Sequence, residues 1–80
     1  MGVRDVVEVM ARALTDQPDA VRVTEAQHQH VTLIELFVAP GDLGKVIGKQ
    51  GRTAAALRTL ASTAGEKDGK YVTLEIREGR

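Results

Sequence analysis

Val46-Ile47-Gly48-Lys49-Gln50-Gly51-Arg52 decides the reading of this chain. Two glycines flank two polar residues, after a short apolar run and before a helix-prone one. Gly48 and Gly51 carry no Cβ to keep an outside group away, and both can take positive φ. A helix starting at Arg52 would aim its first amides, and the positive end of its dipole, at the same spot. Lys49 and Arg52 add charge there. The guest this arrangement suits is a phosphate backbone.

A bare Gly-x-x-Gly is common, so its surroundings must carry the reading. The segment before it, Pro40-Gly41-Asp42, ends an extended run and opens a short helix with Leu43, Val46 and Ile47 on one side. After the turn a second helix is expected from about Thr53 to Ala64, with Ala54, Leu57, Leu60, Ala61 and Ala64 inward and Gly65 as its cap. Upstream, Val3, Val6, Val7, Met10 and Leu14 form a helical stripe, closed by Asp16-Gln17-Pro18-Asp19. Val21 to Thr24 alternates as a strand, and Gln27-His28-Gln29 reads as a turn. Val31 to Val38 is apolar on both parities except Thr32 and Glu35, which marks a central strand. Gly65 to Lys70 is a polar loop. Val72, Leu74 and Ile76 then alternate with Tyr71, Thr73, Glu75 and Arg77 as a strand with one wet face. The order is α-β-β-α-α-β. It predicts an α+β domain over residues 1–80, with a three-stranded mixed sheet, all three helices on one face and the other face open.

Composition bounds the function. Eighty residues, 42% hydrophobic, allow one small core. There is no Cys, so no disulfide, thiolate metal site or thiol nucleophile is available. The start shows no signal peptide, Val6 stands where a myristoylation motif needs Ser or Thr, and no run reaches the roughly 18 apolar residues of a membrane helix. Net charge is zero, but residues 1–42 hold seven acids and three bases, while residues 43–65 hold Lys45, Lys49, Arg52 and Arg58 and no acid. A basic block on a neutral chain predicts modest, salt-sensitive binding of a polyanion.

Other motifs fail on their residues. A Walker A loop ending at Gly48-Lys49 would need glycine at position 43, which is Leu, and Ser or Thr at position 50, which is Gln. A dinucleotide fingerprint needs a strand feeding the glycines, and a helical turn intervenes here. His28 and His30 stand in a turn with no third ligand, so no metal or other cofactor is expected. With one Phe and one Tyr as the aromatics, a stacking platform is excluded. No catalytic set is present, and an enzyme is not expected.

Val46-Ile47-Gly48-Lys49-Gln50-Gly51 resembles the (V/I)IGxxG signature of KH domains, and the element order resembles the type II arrangement. Length and motif position are similar to the small bacterial single-KH proteins of the KhpA (YlqC) family, over nearly the whole chain. The resemblance implies a cytoplasmic, non-enzymatic protein that binds single-stranded RNA and self-associates or pairs with a larger KhpB (Jag, EloR)-type partner. Carried onto this sequence, Gly48 and Gly51 let the RNA backbone lie against the turn. Lys49 meets a phosphate and Gln50 adds a neutral hydrogen bond. Ile47 and Val46 form an apolar floor for bases, and Arg52 and Lys45 flank the groove. One departure is Ala54, where many KH motifs place Ile or Leu. The run Ala54-Ala55-Ala56 favours an alternative role as a dimerisation or docking module, whereas the basic block and intact glycines favour RNA.

Overall fold

The computed structural model describes residues 1–79. Helix α1 spans Val3–Leu14, strand β1 Arg22–His28, β2 Val31–Val38, helix α2 Leu43–Ile47, α3 Arg52–Lys67 and β3 Tyr71–Glu78. The observed order is the expected α-β-β-α-α-β. β2 is central, antiparallel to β1 (Arg22 opposite Phe37, His28 opposite Val31) and parallel to β3 (Val31 opposite Tyr71, Val38 opposite Glu78). A parallel neighbour requires a crossover, and α2, the glycine turn and α3 supply it.

The core forms where the helices cover one side of the sheet. Along β2, Thr32, Ile34, Leu36 and Val38 are fully buried, while Val31, Leu33, Glu35 and Phe37 on the other parity keep contact with solvent. Val3, Val7 and Ala11 of α1, Val46 of α2, Leu57 and Ala61 of α3 and Leu74 of β3 complete the cluster. Each fully buried Leu, Ile or Val contributes on the order of 1.5–3 kcal/mol. On the open face Arg22 lies over the Phe37 ring, 5.8 Å from its centroid, and Arg77 pairs with Glu35 at 3.2 Å. Each edge strand is guarded by a helix arginine. Arg4 Nε donates to the Val23 carbonyl (2.9 Å) and Arg58 Nε to the Leu74 carbonyl (3.3 Å), which blunts two otherwise open edges.

Several local expectations are corrected. β1 continues to His28 and the hairpin turns at Gln29-His30 instead of Gln27 to Gln29. The reason is Thr32, whose buried hydroxyl needs a partner and donates to Gln27 Oε1 at 2.8 Å across the paired strands. α3 runs on through Gly65 to Lys67. Gly65 is therefore no cap. A Cβ there would lie 3.2 Å from the Lys70 carbonyl and collide with Val72 Cγ2, so glycine allows the close approach of α3 to β3. Leu60 is 43% exposed, because the buried residues of α3 recur at 54, 57, 61 and 65 and position 60 points about 100° off that face. Leu14, at the last turn of α1, is exposed as well.

Candidate nucleic-acid interface

The glycine turn is built by two helices that meet almost end to end. α2 has five residues, too few to hold itself, and its orientation comes from Val46, which is fully buried, and from Leu43 packed against the core. The Gly48 amide closes α2 by donating to Gly44 O (2.8 Å), and the Gly51 amide donates to Gly48 O (3.1 Å). Gly48, Gln50 and Gly51 take φ of 77°, 57° and 72°. Gln50 is the one of these with a side chain, and Arg52 Nη2 donates to its Oε1 at 3.0 Å. No side chain caps the start of α3 at Arg52, whose own amide already donates to the Lys49 carbonyl.

The two glycines serve different ends. A Cβ on Gly48 would run into Thr53 of its own chain, 2.7 Å from its Cβ and 2.9 Å from its amide nitrogen, and closer still to its hydroxyl. Gly48 is required for internal packing and for its φ. A Cβ on Gly51 would meet nothing within 4 Å. The open side of the turn, where an outside group can come close, is therefore at Gly51, flanked by the exposed Lys49, Gln50 and Arg52.

Of the four cations in the basic block, the structure keeps two at the turn. Lys49 makes no ion pair among the described residues, and Arg52 bonds only the neutral Gln50 side chain. Lys45 is engaged elsewhere, with Nζ 3.1 Å from Asp16 Oδ2 and 3.8 Å from Asp42 Oδ1. The hydrogen bond and charge of Asp16, with a smaller contribution from Asp42, hold its pKa above the ordinary lysine value. Arg58 lies further along α3, on the β3 edge. Two expected roles are thereby corrected. Val46, fully buried, is core and offers no surface to a base, and Lys45 is neutralised by two carboxylates. Ile47 remains partly exposed beside the turn. Ala54, despite its size, is buried at the position of the larger family residue.

Sequence reading missed Asp42 and Thr53. Asp42 is 1% exposed. Its carboxylate does not cap α2; it accepts the backbone amides of Asp16 (3.1 Å) and Gln17 (2.9 Å) just after α1. Burial pushes its pKa up, but those two amides together with Lys45 outweigh burial, and the net shift is downward. An Asp ahead of a helix is a visible signal, yet it suggests a local cap, not a tie to residues 26 positions away. A hollow of about 400 Å³ lined by Ser62, Glu66, Lys70 and Tyr71 lies at the far end of α3. A sixteen-residue helix spans roughly 24 Å, so this hollow is not part of the glycine turn.

A three-stranded mixed sheet with helices on one face, and a Gly-x-x-Gly turn between the second and third helices, define a type II KH domain. A family model described as "KhpA/KhpB, KH domain" matches residues 4–76, and the chain belongs to that family. It is 55% identical over 75 residues to RNA-binding protein KhpA of Aquifex aeolicus, covering 94% of this chain and 95% of the relative. It is 53% identical over 72 residues to RNA-binding protein KhpA of Caldanaerobacter subterraneus (90% and 96%) and 40% identical over 77 residues to that of Chlamydia trachomatis (96% and 99%). Among solved structures the chain is similar to Era in complex with MgGDPNP and a segment of 16S ribosomal RNA (TM-score 0.64, 23% identity, 95% of this chain and 29% of Era). Aquifex aeolicus Era bound to GDP and aluminium fluoride superposes at a TM-score of 0.67 with 20% identity, covering 96% of this chain and 30% of Era. At these identities the Era structures show the fold. The family is a non-enzymatic one.

Proposed function

We propose that the chain binds short single-stranded RNA by clamping its phosphate backbone against the Gly48–Gly51 turn. The observation that carries this reading is the open side of Gly51, bordered by exposed Lys49, Gln50 and Arg52 with no acid among them. The relatives named as RNA-binding proteins support it. The backbone approaches at Gly51, Lys49 and Arg52 meet phosphates, Gln50 adds a neutral hydrogen bond, and bases rest on an aliphatic floor that includes Ile47. With little aromatic surface and two cations at the turn that pair with no acid among the described residues, one domain binds modestly, in the cytoplasm, in the manner of a single KH unit. Lys49→Asp with Gln50→Asp tests this directly. Both side chains are exposed, so the circular dichroism spectrum is expected to stay unchanged while affinity for a short single-stranded RNA falls more than about tenfold. A folded double variant with parental affinity would remove the assignment.

A second reading, compatible with the first, concerns pairing. Leu60 stands 43% exposed amid Ala55, Ala56, Thr59 and Thr63, all exposed on the outer side of α3. Small side chains around one large apolar residue let another helix approach closely, and this face is where a second copy, or a KhpB-type KH protein, would dock.

A further inference from the structure

We infer that Asp42 is a positioning residue for RNA binding: without touching the ligand, its buried carboxylate sets the angle at which α2 presents the glycine turn. This role rests on the turn being the RNA clamp. α2 is a single short helix whose C-terminal amide bond, Gly48 to Gly44, begins the turn, so any rotation of α2 moves Gly48 and with it Gly51. Val46 and Leu43 seat one side of α2 on the core, and an anchor at its N-terminal side is what adds control of its angle. Asp42 immediately precedes it, held by its own amide on Ala39 O (2.8 Å). Its Oδ1 accepts the Asp16 amide and its Oδ2 the Gln17 amide, at 3.1 and 2.9 Å. Those amides belong to the segment that leaves α1, which packs on β1 and β2 through Val3, Val7 and Ala11. The carboxylate thus ties the short helix to the rigid part of the fold, across 25 and 26 residues of sequence.

Lys45 completes the joint. It sits one turn into α2, and its ammonium bridges Asp16 and Asp42, so helix and segment are pinned at two points. A neutral Asn at position 42 would keep the volume but accept only one amide with its oxygen. Its NH2 would face the second amide donor, and Lys45 would lose one of its two partners.

Asp42→Asn is expected to weaken binding of a short fluorescein-labelled single-stranded RNA about tenfold at a temperature where circular dichroism shows it folded. That is the scale for residues that act on a site they do not contact. The slope of log affinity against log salt should not change, because no phosphate contact is removed. Amide hydrogen exchange at Gly48 to Gly51 should accelerate in the free protein. Val7→Ala, a core change away from the turn, serves as the stability control and should bind RNA within about twofold of the parent. Lys45→Met keeps both amide bonds and should lose only a few-fold with an unaltered salt slope, and it substitutes if Asp42→Asn does not fold. The assignment is overturned if Asp42→Asn binds within about twofold of the parent, or if Val7→Ala loses as much. A Lys45→Met slope shallower by about 0.7, which would put Lys45 on a phosphate, also overturns it. Parental affinity in the Lys49/Gln50 double variant would instead remove the clamp reading, and unaltered turn-amide exchange in Asp42→Asn would then overturn this one independently.

Discussion

Replacing each glycine of the turn by alanine should separate folding from binding. At Gly48 two penalties combine. Its φ of 77° with ψ of 172° lies in a region essentially reserved for glycine, and holding an L-residue there costs about 1–3 kcal/mol. The new methyl also meets Thr53 at 2.7 Å from Cβ and 2.9 Å from the backbone nitrogen. That backbone cannot move without α3, so overpacking adds roughly 1–3 kcal/mol. The sum is about 2–6 kcal/mol, from a total of roughly 4–12 kcal/mol for eighty residues. At about 4–8 °C per kcal/mol the midpoint should fall by about 8 °C or more. Gly51→Ala carries only the conformational penalty, about 1–2 kcal/mol, because the methyl enters open space. Its methyl occupies the place assigned to the phosphate backbone, so its affinity should fall roughly tenfold while it remains folded. Urea and thermal melts followed by circular dichroism, with RNA anisotropy on the same samples, read both effects. Equal destabilisation by the two substitutions would refute the packing role given to Thr53. Parental RNA affinity in Gly51→Ala would refute the open-side assignment.

Three further outcomes are expected. With two cations at the turn that pair with no acid among the described residues, the log–log salt slope for single-stranded RNA should be about −1.4, and a slope beyond about −4 would require a footprint larger than this turn. Asp42, whose pKa is lowered below 3.8, contributes stability that is present above that value and lost as pH falls through its folded pKa, whereas Lys45, raised above 10.5, contributes stability present below 10.5 and lost as pH rises through its folded pKa. Thermal melts should therefore show an acid limb below about pH 4 that is reduced in Asp42→Asn and an alkaline limb above about pH 10.5 that is reduced in Lys45→Met; unchanged limbs would contradict the joint. Ala56→Asp with Thr59→Asp should abolish any dimer seen by sedimentation, and a parent that is monomeric at tens of micromolar and pairs with no KH protein would end the docking reading.

The parts of the fold visible in the sequence are those governed by short periods. β2 reads as central because its apolar residues fill both parities, and β3 as half-exposed because Val72, Leu74 and Ile76 alternate. The glycine turn was legible because Gly48 and Gly51 carry a local backbone requirement. What stayed hidden depends on partners distant in sequence. Nothing near Lys45 predicts that Asp16 will neutralise it, and nothing near Asp42 predicts two amides after α1. Gly65 resembles a cap until β3 is seen pressing Val72 against it. Leu60 counts as inward on a rough stripe and outward once Ala61 is seen to hold the buried position. The candidate turn was accordingly legible as a local backbone feature, while the division of roles proposed within it, including Gly48 against Gly51 and Lys45 against Lys49, required the tertiary contacts.

RNA is proposed to meet this chain at the glycine turn. Titrating short single-stranded RNA into the isotope-labelled protein and following backbone amide shifts tests it most directly. The largest shifts are expected at Gly48 to Thr53, with Ile47 beside them and Lys45 little affected. Shifts centred on the open sheet face around Phe37, or on the hollow beside Tyr71, with the glycine turn unmoved, would contradict it.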